Sequence, residues 1–291
     1  MSRFLCVLRK INGEGGRSMK EFKVKDHASS LLPDGYDWEL VWADEFDGNE
    51  LDKSKWDYRL SMMGKRQVSW REEGVQLDGN SNLVFTVFEK DGEICSTQLQ
   101  TGYNFMDEPW MEDGSNYNGG LKWPIGKLRE HKFLHKYGYY ECRCKLQKKP
   151  GWWSAFWLQS PVIGSSLDTA FSGVENDIME SFTPGKIIKH CNHYNGYGVD
   201  HAVATAGKGL DVSLDEYHTF GMLWDEDGYV FYVDGKEDGR TSFPVSHIPQ
   251  FVLLTTEVNG YRSASHAPTD EARAAVGDTF VVDHVRVFDK K

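Results

Sequence analysis

Nine short runs of aromatic and β-branched residues, each bounded by Gly, Asp, Asn or Pro, dominate the sequence. They span residues 38–46, 82–90, 137–146, 152–159, 175–182, 218–225, 228–235, 251–259 and 278–288, and many alternate apolar with polar positions. Such runs read as β-strands, and "DEDG" (225–228) reads as the hairpin turn joining two of them. Helical periodicity is confined to "TDEARAAVG" (269–277), with Thr269 as its N-cap. Many short antiparallel strands with almost no helix predict an all-β sandwich or barrel. With 291 residues and 40% hydrophobic content, the chain can bury one large core. Residues 36–291 are read as that domain, and residues 1–35 as a poorly ordered or peripheral extension.

Several classes are disfavoured early. No apolar stretch approaches the length of a membrane span. A net charge of −11 argues against nucleic acid as a partner. Five cysteines in no framework spacing argue against a disulfide scaffold. In "YYECRCKL" (139–146), Cys142 and Cys144 share a face with Tyr140 and Leu146 and are expected in the core. Two stretches, 101–126 and 183–217, show no regular pattern and read as long functional loops rich in aromatics, Asn and Asp.

One run carries chemistry. "GVENDIMESF" (173–182) places Glu175, Asp177 and Glu180 in an otherwise apolar segment. On a regular strand Glu175 and Asp177 share a face and Glu180 points the other way. Buried carboxylates without a purpose cost several kcal/mol each. A solvated charged strand therefore does not account for them, and a hard-cation site would prefer loop geometry. A β-bulge at Ile178–Met179 would reverse the alternation and bring Glu180 beside the others. Two carboxylates flanking a sugar cleft can act as nucleophile and acid/base of a retaining glycosidase.

Glu-x-Asp-x-x-Glu, preceded by "YGYYECRCKL…GWWSAFWLQ", resembles glycoside hydrolase family 16, the laminarinase, lichenase, agarase, porphyranase and carrageenase relatives. "ELVWADEFDGNELDKSKW" (39–56), "FGMLWDEDGYVFYVDGK" (220–236) and "FVVDHVRVF" (280–288) extend the resemblance over most of residues 36–288. It implies a β-jelly-roll sandwich of two curved antiparallel sheets with a concave substrate cleft. Glu175 would be the nucleophile, Glu180 the acid/base and Asp177 the helper between them. Trp153 and Trp157 occupy substrate-facing positions, and His193 in "HCNHYNGYG" matches a histidine beside the acid/base. The resemblance also implies a structural calcium on Asp283 and Glu45, with a backbone carbonyl near Gly79. No cofactor is required for catalysis.

Strand alternation adds Glu257 and Asn259, which share a face with Thr255 in "LLTTEVNG". A zinc set of His190, Cys191 and His193 has the residue types but no known spacing. Asn176 departs from the family's aliphatic residue, and should face the interior and find a buried polar partner.

These readings predict an endo-acting retaining β-glycoside hydrolase, a monomer whose partner is a polysaccharide or oligosaccharide, first a β-1,3- or β-1,3-1,4-glucan. The alternatives are a galactan hydrolase, including a sulfated galactan if Arg66, Arg71, Arg129 or Arg262 converge on the cleft, a non-catalytic carbohydrate-binding sandwich, and a transglycosylase. No compartment is assigned: a polymeric substrate implies secretion or periplasm, while "FLCVL" is too short for the apolar region of a signal peptide.

Overall fold

A computed structural model describes residues 10–11, 19–107 and 129–291. Two antiparallel sheets, of seven and eight strands, pack face to face as a jelly-roll sandwich. In spatial order, the seven-stranded sheet runs Ala202–Ala206, His190–Tyr194, Glu175–Ser181, Trp152–Gln159, Phe251–Val258, Gln98–Gln100 and Asp57–Tyr58. The eight-stranded sheet is built around Gly138–Lys145 and Thr279–Lys290, flanked by the hairpin His218–Asp225/Gly228–Val233.

Alternation decides what each strand buries. Trp152, Phe156 and Leu158 point between the sheets with Ile178, Met179, Val252 and Leu254. Tyr140, Cys142, Cys144 and Leu146 join them from the opposite sheet, and both cysteines are free and fully buried, as small apolar residues are in a core. The predicted helix forms over Asp270–Ala274, and the Thr269 hydroxyl accepts from the Ala272 amide at 3.1 Å.

The structure bears on three further expectations. The 183–217 stretch carries four strands: Lys186–Ile187, His190–Tyr194, Ala202–Ala206 and Leu210–Asp211. Of 101–126, only residues 101–107 lie among the described residues. The part of the extension described from Met19 onward is packed rather than loose. Met19–Phe22 and Ser30–Pro33 pair, and Met19 and Leu32 bury against Trp38, Tyr139, Leu223 and Phe288 on the outer face of the eight-stranded sheet. Arg286 anchors this segment through the Ala28 carbonyl and the Ser30 hydroxyl, both at 2.8 Å. Covering that face also buries Glu141, which alternation alone would place outward, against His284 at 3.2 Å.

The calcium expectation does not fit these side chains. Glu45 holds the buried Arg286 guanidinium through two bonds of 2.8 and 2.7 Å. Asp283 meets Arg143 at 2.8 Å and His284 at 3.1 Å. Each carboxylate already faces a cation, so a calcium ion at either would meet arginine rather than free oxygen donors.

Candidate active site

The acids sit on a strand whose register slips once. Against Trp152–Gln159, Met179 faces Phe156 and Asp177 faces Trp157, leaving Ile178 as the extra residue. This is the bulge that the spacing demands. Ile178 and Met179 both point into the core with no exposure, and Glu175, Asp177 and Glu180 all line one cleft. The bulge leaves the Ile178 carbonyl without a ladder partner. Nδ1–H of the buried His190 donates to it at 2.8 Å, and the His190 ring stacks on Phe231 of the other sheet at 4.3 Å.

The cavity encloses about 520 Å³ and crosses the seven-stranded sheet from Arg59 at one edge to Cys191 and His193 near the other. Its floor follows from cross-strand pairing. Gln159, Trp157 and Ala155 lie opposite Glu175, Asp177 and Glu180, so the smallest of the three leaves room over Glu180. Trp157 is 7% exposed and donates through Nε1 to Thr255 at 2.9 Å. Trp153 lines the same cleft, with Phe182 5.1 Å from it and Arg262 5.7 Å over its ring. Glu257 is buried and ion-paired to Arg262.

Asn259 is not part of this surface. The strand ends at Val258, and the Asn259 backbone is tied into the following turn, its N–H to Gly151 at 2.9 Å and its carbonyl to Thr269 at 3.1 Å. Of the four arginines that would mark a sulfate site, only Arg262 lines the cleft; Arg66 and Arg129 line a neighbouring pocket. Trp110 and Trp123, the tryptophans of the 101–126 stretch, lie outside the described residues.

The two glutamates have different surroundings. Glu175 accepts from the Tyr197 hydroxyl and from the Gln159 amide at 3.1 Å. Both donors favour its charged form. Burial and the adjacent Asp177 nonetheless push it up to about 7, against the pull of His193, Tyr197 and Arg59. The Glu180 carboxyl has no hydrogen-bond partner among the described residues. Burial, then the charges of Asp177 and Glu175, hold its carboxyl well above the ordinary carboxylate range, with Arg262 opposing. One group is thus furnished to be an anion and its neighbour to keep a proton.

His193 lies directly across the strand pair from Glu175, with Nε2 3.3 Å from Asp177 and Nδ1 2.8 Å from Nε2 of His201. Burial pulls its pKa down, but the bond and charge of Asp177 and the charge of Glu175 outweigh that and lift it to about 9. The set of His190, Cys191 and His193, which the spacing already disfavoured for zinc, does not assemble, because alternation sends His190 into the core while Cys191 and His193 face the cleft.

Asn176 sits behind the acids with no exposure. Its amide donates to Asn192 at 2.8 Å, and its carbonyl accepts from Gln250 at 3.0 Å. This is the buried polar contact expected of that position.

Sequence reasoning did not single out Gln159, Tyr197 or Arg59. Gln159 shares the face of Trp157 and was visible by alternation. Tyr197 comes from a turn after His190–Tyr194, and Arg59 follows a two-residue strand, so no periodicity marks either. Arg59 lies between the rings of Trp70 and Trp157, 5.3 and 5.2 Å from their centroids, and is paired to Asp107 at 2.8 Å.

A jelly-roll sandwich with buried and half-buried carboxylates flanked by indole rings on one open sheet face defines the class: a carbohydrate-active β-sandwich. The chain belongs to glycosyl hydrolases family 16, whose profile matches residues 64–250. It is 26% identical over 276 residues to glucan endo-1,3-beta-glucosidase A1 of Niallia circulans, covering 86% of this chain and 37% of that protein. It is 30% identical over 225 residues to the endo-1,3-1,4-beta-glycanase EglC of Rhizobium meliloti, covering 75% of this chain and 45% of that one. The chain therefore spans less than half the length of these curated relatives. The crystal structure of the laminarinase from Rhodothermus marinus superposes with a TM-score of 0.63 at 22% identity, covering 88% of this chain and 99% of that one.

Proposed function

We propose that the protein is an endo-acting, retaining β-glycoside hydrolase of a β-1,3- or β-1,3-1,4-glucan. The observation that carries this is the bulge at Ile178, which puts Glu175 and Glu180 on one cleft face. In the first step Glu180 gives its proton to the glycosidic oxygen while a Glu175 oxygen bonds the anomeric carbon and the leaving sugar departs. In the second, the Glu180 carboxylate takes a proton from water, which attacks the same carbon and frees Glu175. Two displacements restore the β configuration. Asp177 stabilises the proton on Glu180, and Tyr197 and Gln159 hold Glu175 in position.

The cleft crosses the strands from Asp57–Tyr58 to His190–Tyr194, five steps at about 4.8 Å each, or roughly 24 Å. That length holds several pyranose rings and supports internal cutting. Trp153 and Trp157 offer indole faces to apolar sugar faces. The relatives named as 1,3- and 1,3-1,4-glucanases support the linkage. A sulfated galactan is not favoured, because Arg59 and Arg262 in the cleft are already paired to Asp107 and Glu257. We read the enzyme as a monomer, which size-exclusion chromatography with light scattering checks.

A depolymerisation screen on laminarin, lichenan, agarose, porphyran and carrageenans, with product sizing, tests the proposal. Laminarin or lichenan should yield a spread of short oligosaccharides, and Glu180→Gln should lower kcat by about 10²–10⁴ while oligosaccharide binding persists. Binding without cleavage of any glycan would leave a carbohydrate-binding sandwich instead.

A further inference from the structure

The cleft holds a second constellation that the hydrolytic steps do not use as a set. Cys191 and His193, two residues apart on one strand, both face the cleft, and Asp177 lies directly across from Cys191. The thiol sulfur, an imidazole nitrogen and a carboxylate oxygen of these three lie within 4.8 Å of one another. Asp177 is 5% exposed, and its Oδ2 faces only the His193 Nε2, 3.3 Å away. A buried carboxylate oxygen, an imidazole nitrogen and a thiol gathered this closely are a donor set for a cation that displaces the imidazole proton.

We propose that Asp177, Cys191 and His193 form a site for a borderline divalent cation, zinc above all, whose occupancy shuts the cleft's chemistry off. One sulfur, one nitrogen and one oxygen suit zinc and exclude calcium or magnesium, which take oxygen sets. Three protein ligands leave the fourth tetrahedral position open to the cavity, where water completes the shell. His201 supplies the outer support. Its Nε2 engages His193 Nδ1 at 2.8 Å, which orients the ring and leaves Nε2 for the metal. Binding releases the protons of the His193 Nε2 and the Cys191 thiol to solvent, so uptake tightens as pH rises. A bound dication would neutralise Asp177 and occupy the space beside Glu175.

The site differs from the triple suggested by "HCNH". His190 is committed to the Ile178 carbonyl inside the core, and Asp177 takes its place from the neighbouring strand.

The inhibitory part rests on the hydrolase reading, and the binding part does not, so two readouts separate them. Titrating the metal-free protein with Co²⁺ should produce a thiolate-to-cobalt charge-transfer band with tetrahedral visible absorption. Cys191→Ser should abolish that band and raise the Zn²⁺ concentration for half-inhibition at least about tenfold, each variant measured against its own metal-free rate. Chelator should restore wild-type hydrolysis. The proposal is overturned if Co²⁺ gives no charge-transfer band, or if Zn²⁺ inhibits Cys191→Ser at the wild-type concentration. A charge-transfer band in a protein that hydrolyses nothing keeps the metal site and removes only the hydrolase reading.

Discussion

At the scale of single residues, what separates Glu175 from Glu180 is the company each keeps. Glu175 has two donors that favour its anion, while Glu180 has none and sits among negative neighbours. Their titrations belong to the pair rather than to either alone. The nucleophile must be ionised, so the acidic limb of kcat/KM should fall near pH 7, the value to which Glu175 is pushed. The acid must hold its proton, so the alkaline limb reports Glu180. Asp177 raises Glu180 and Arg262 lowers it. Asp177→Asn should therefore move the alkaline limb to lower pH, and Arg262→Gln should move it to higher pH. A pH–rate series on both variants checks this, and shifts of the same sign in the two would refute it.

The secondary-structure elements turn on one extra residue. Alternation split Trp152–Gln159 and Phe251–Val258 into two faces each, because those strands are regular, and for Trp152–Gln159 the family resemblance chose which face meets the cleft. The acid strand was legible only through a contradiction: three acids serving one cleft cannot stand at that spacing without a bulge. What holds the bulge was not legible. His190 lies twelve residues further on, and no local pattern announces a side chain that caps a carbonyl on the neighbouring strand. His190→Phe should keep the stack on Phe231 but leave the Ile178 carbonyl buried and unpaired, costing about 1–3 kcal/mol. Displacement of Glu180 should then lower kcat by about 10²-fold. His190→Asn carries a donor at the same branch position and should retain most of kcat. Equal losses in the two variants, by steady-state kinetics beside denaturant melts, would show that the bond does not position the acid.

At the scale of the whole molecule, the two faces of the sandwich play opposite parts. The outer face of the eight-stranded sheet is sealed by the N-terminal segment through Arg286, Glu45 and a set of apolar contacts. Nothing in the early sequence has a strand-like period strong enough to predict that cover. It hides Glu141 and occupies the carboxylate that family resemblance gave to calcium. The cleft face instead stores cost, since carboxyls are buried there for chemistry rather than for stability. Because the folded state binds the Glu175 proton more tightly than the unfolded chain, stability from this group is full below its ordinary 4.5 and is lost as pH rises to about 7. Glu175→Gln should thus have no Tm advantage over wild type near pH 4, gain one across that interval, and hold it above pH 7. Differential scanning calorimetry at several pH values reads the sign, and an advantage that shrinks with rising pH would contradict it.

The central claim is that the bulge at Ile178 makes Glu175 and Glu180 a double-displacement pair, and the anomeric configuration of the first-formed product tests it most directly. Following hydrolysis of a laminarin or lichenan oligosaccharide by proton NMR, before mutarotation, should show the β-anomer appearing first. The α-anomer appearing first would mean that water attacks directly, and that Glu175 is not the nucleophile.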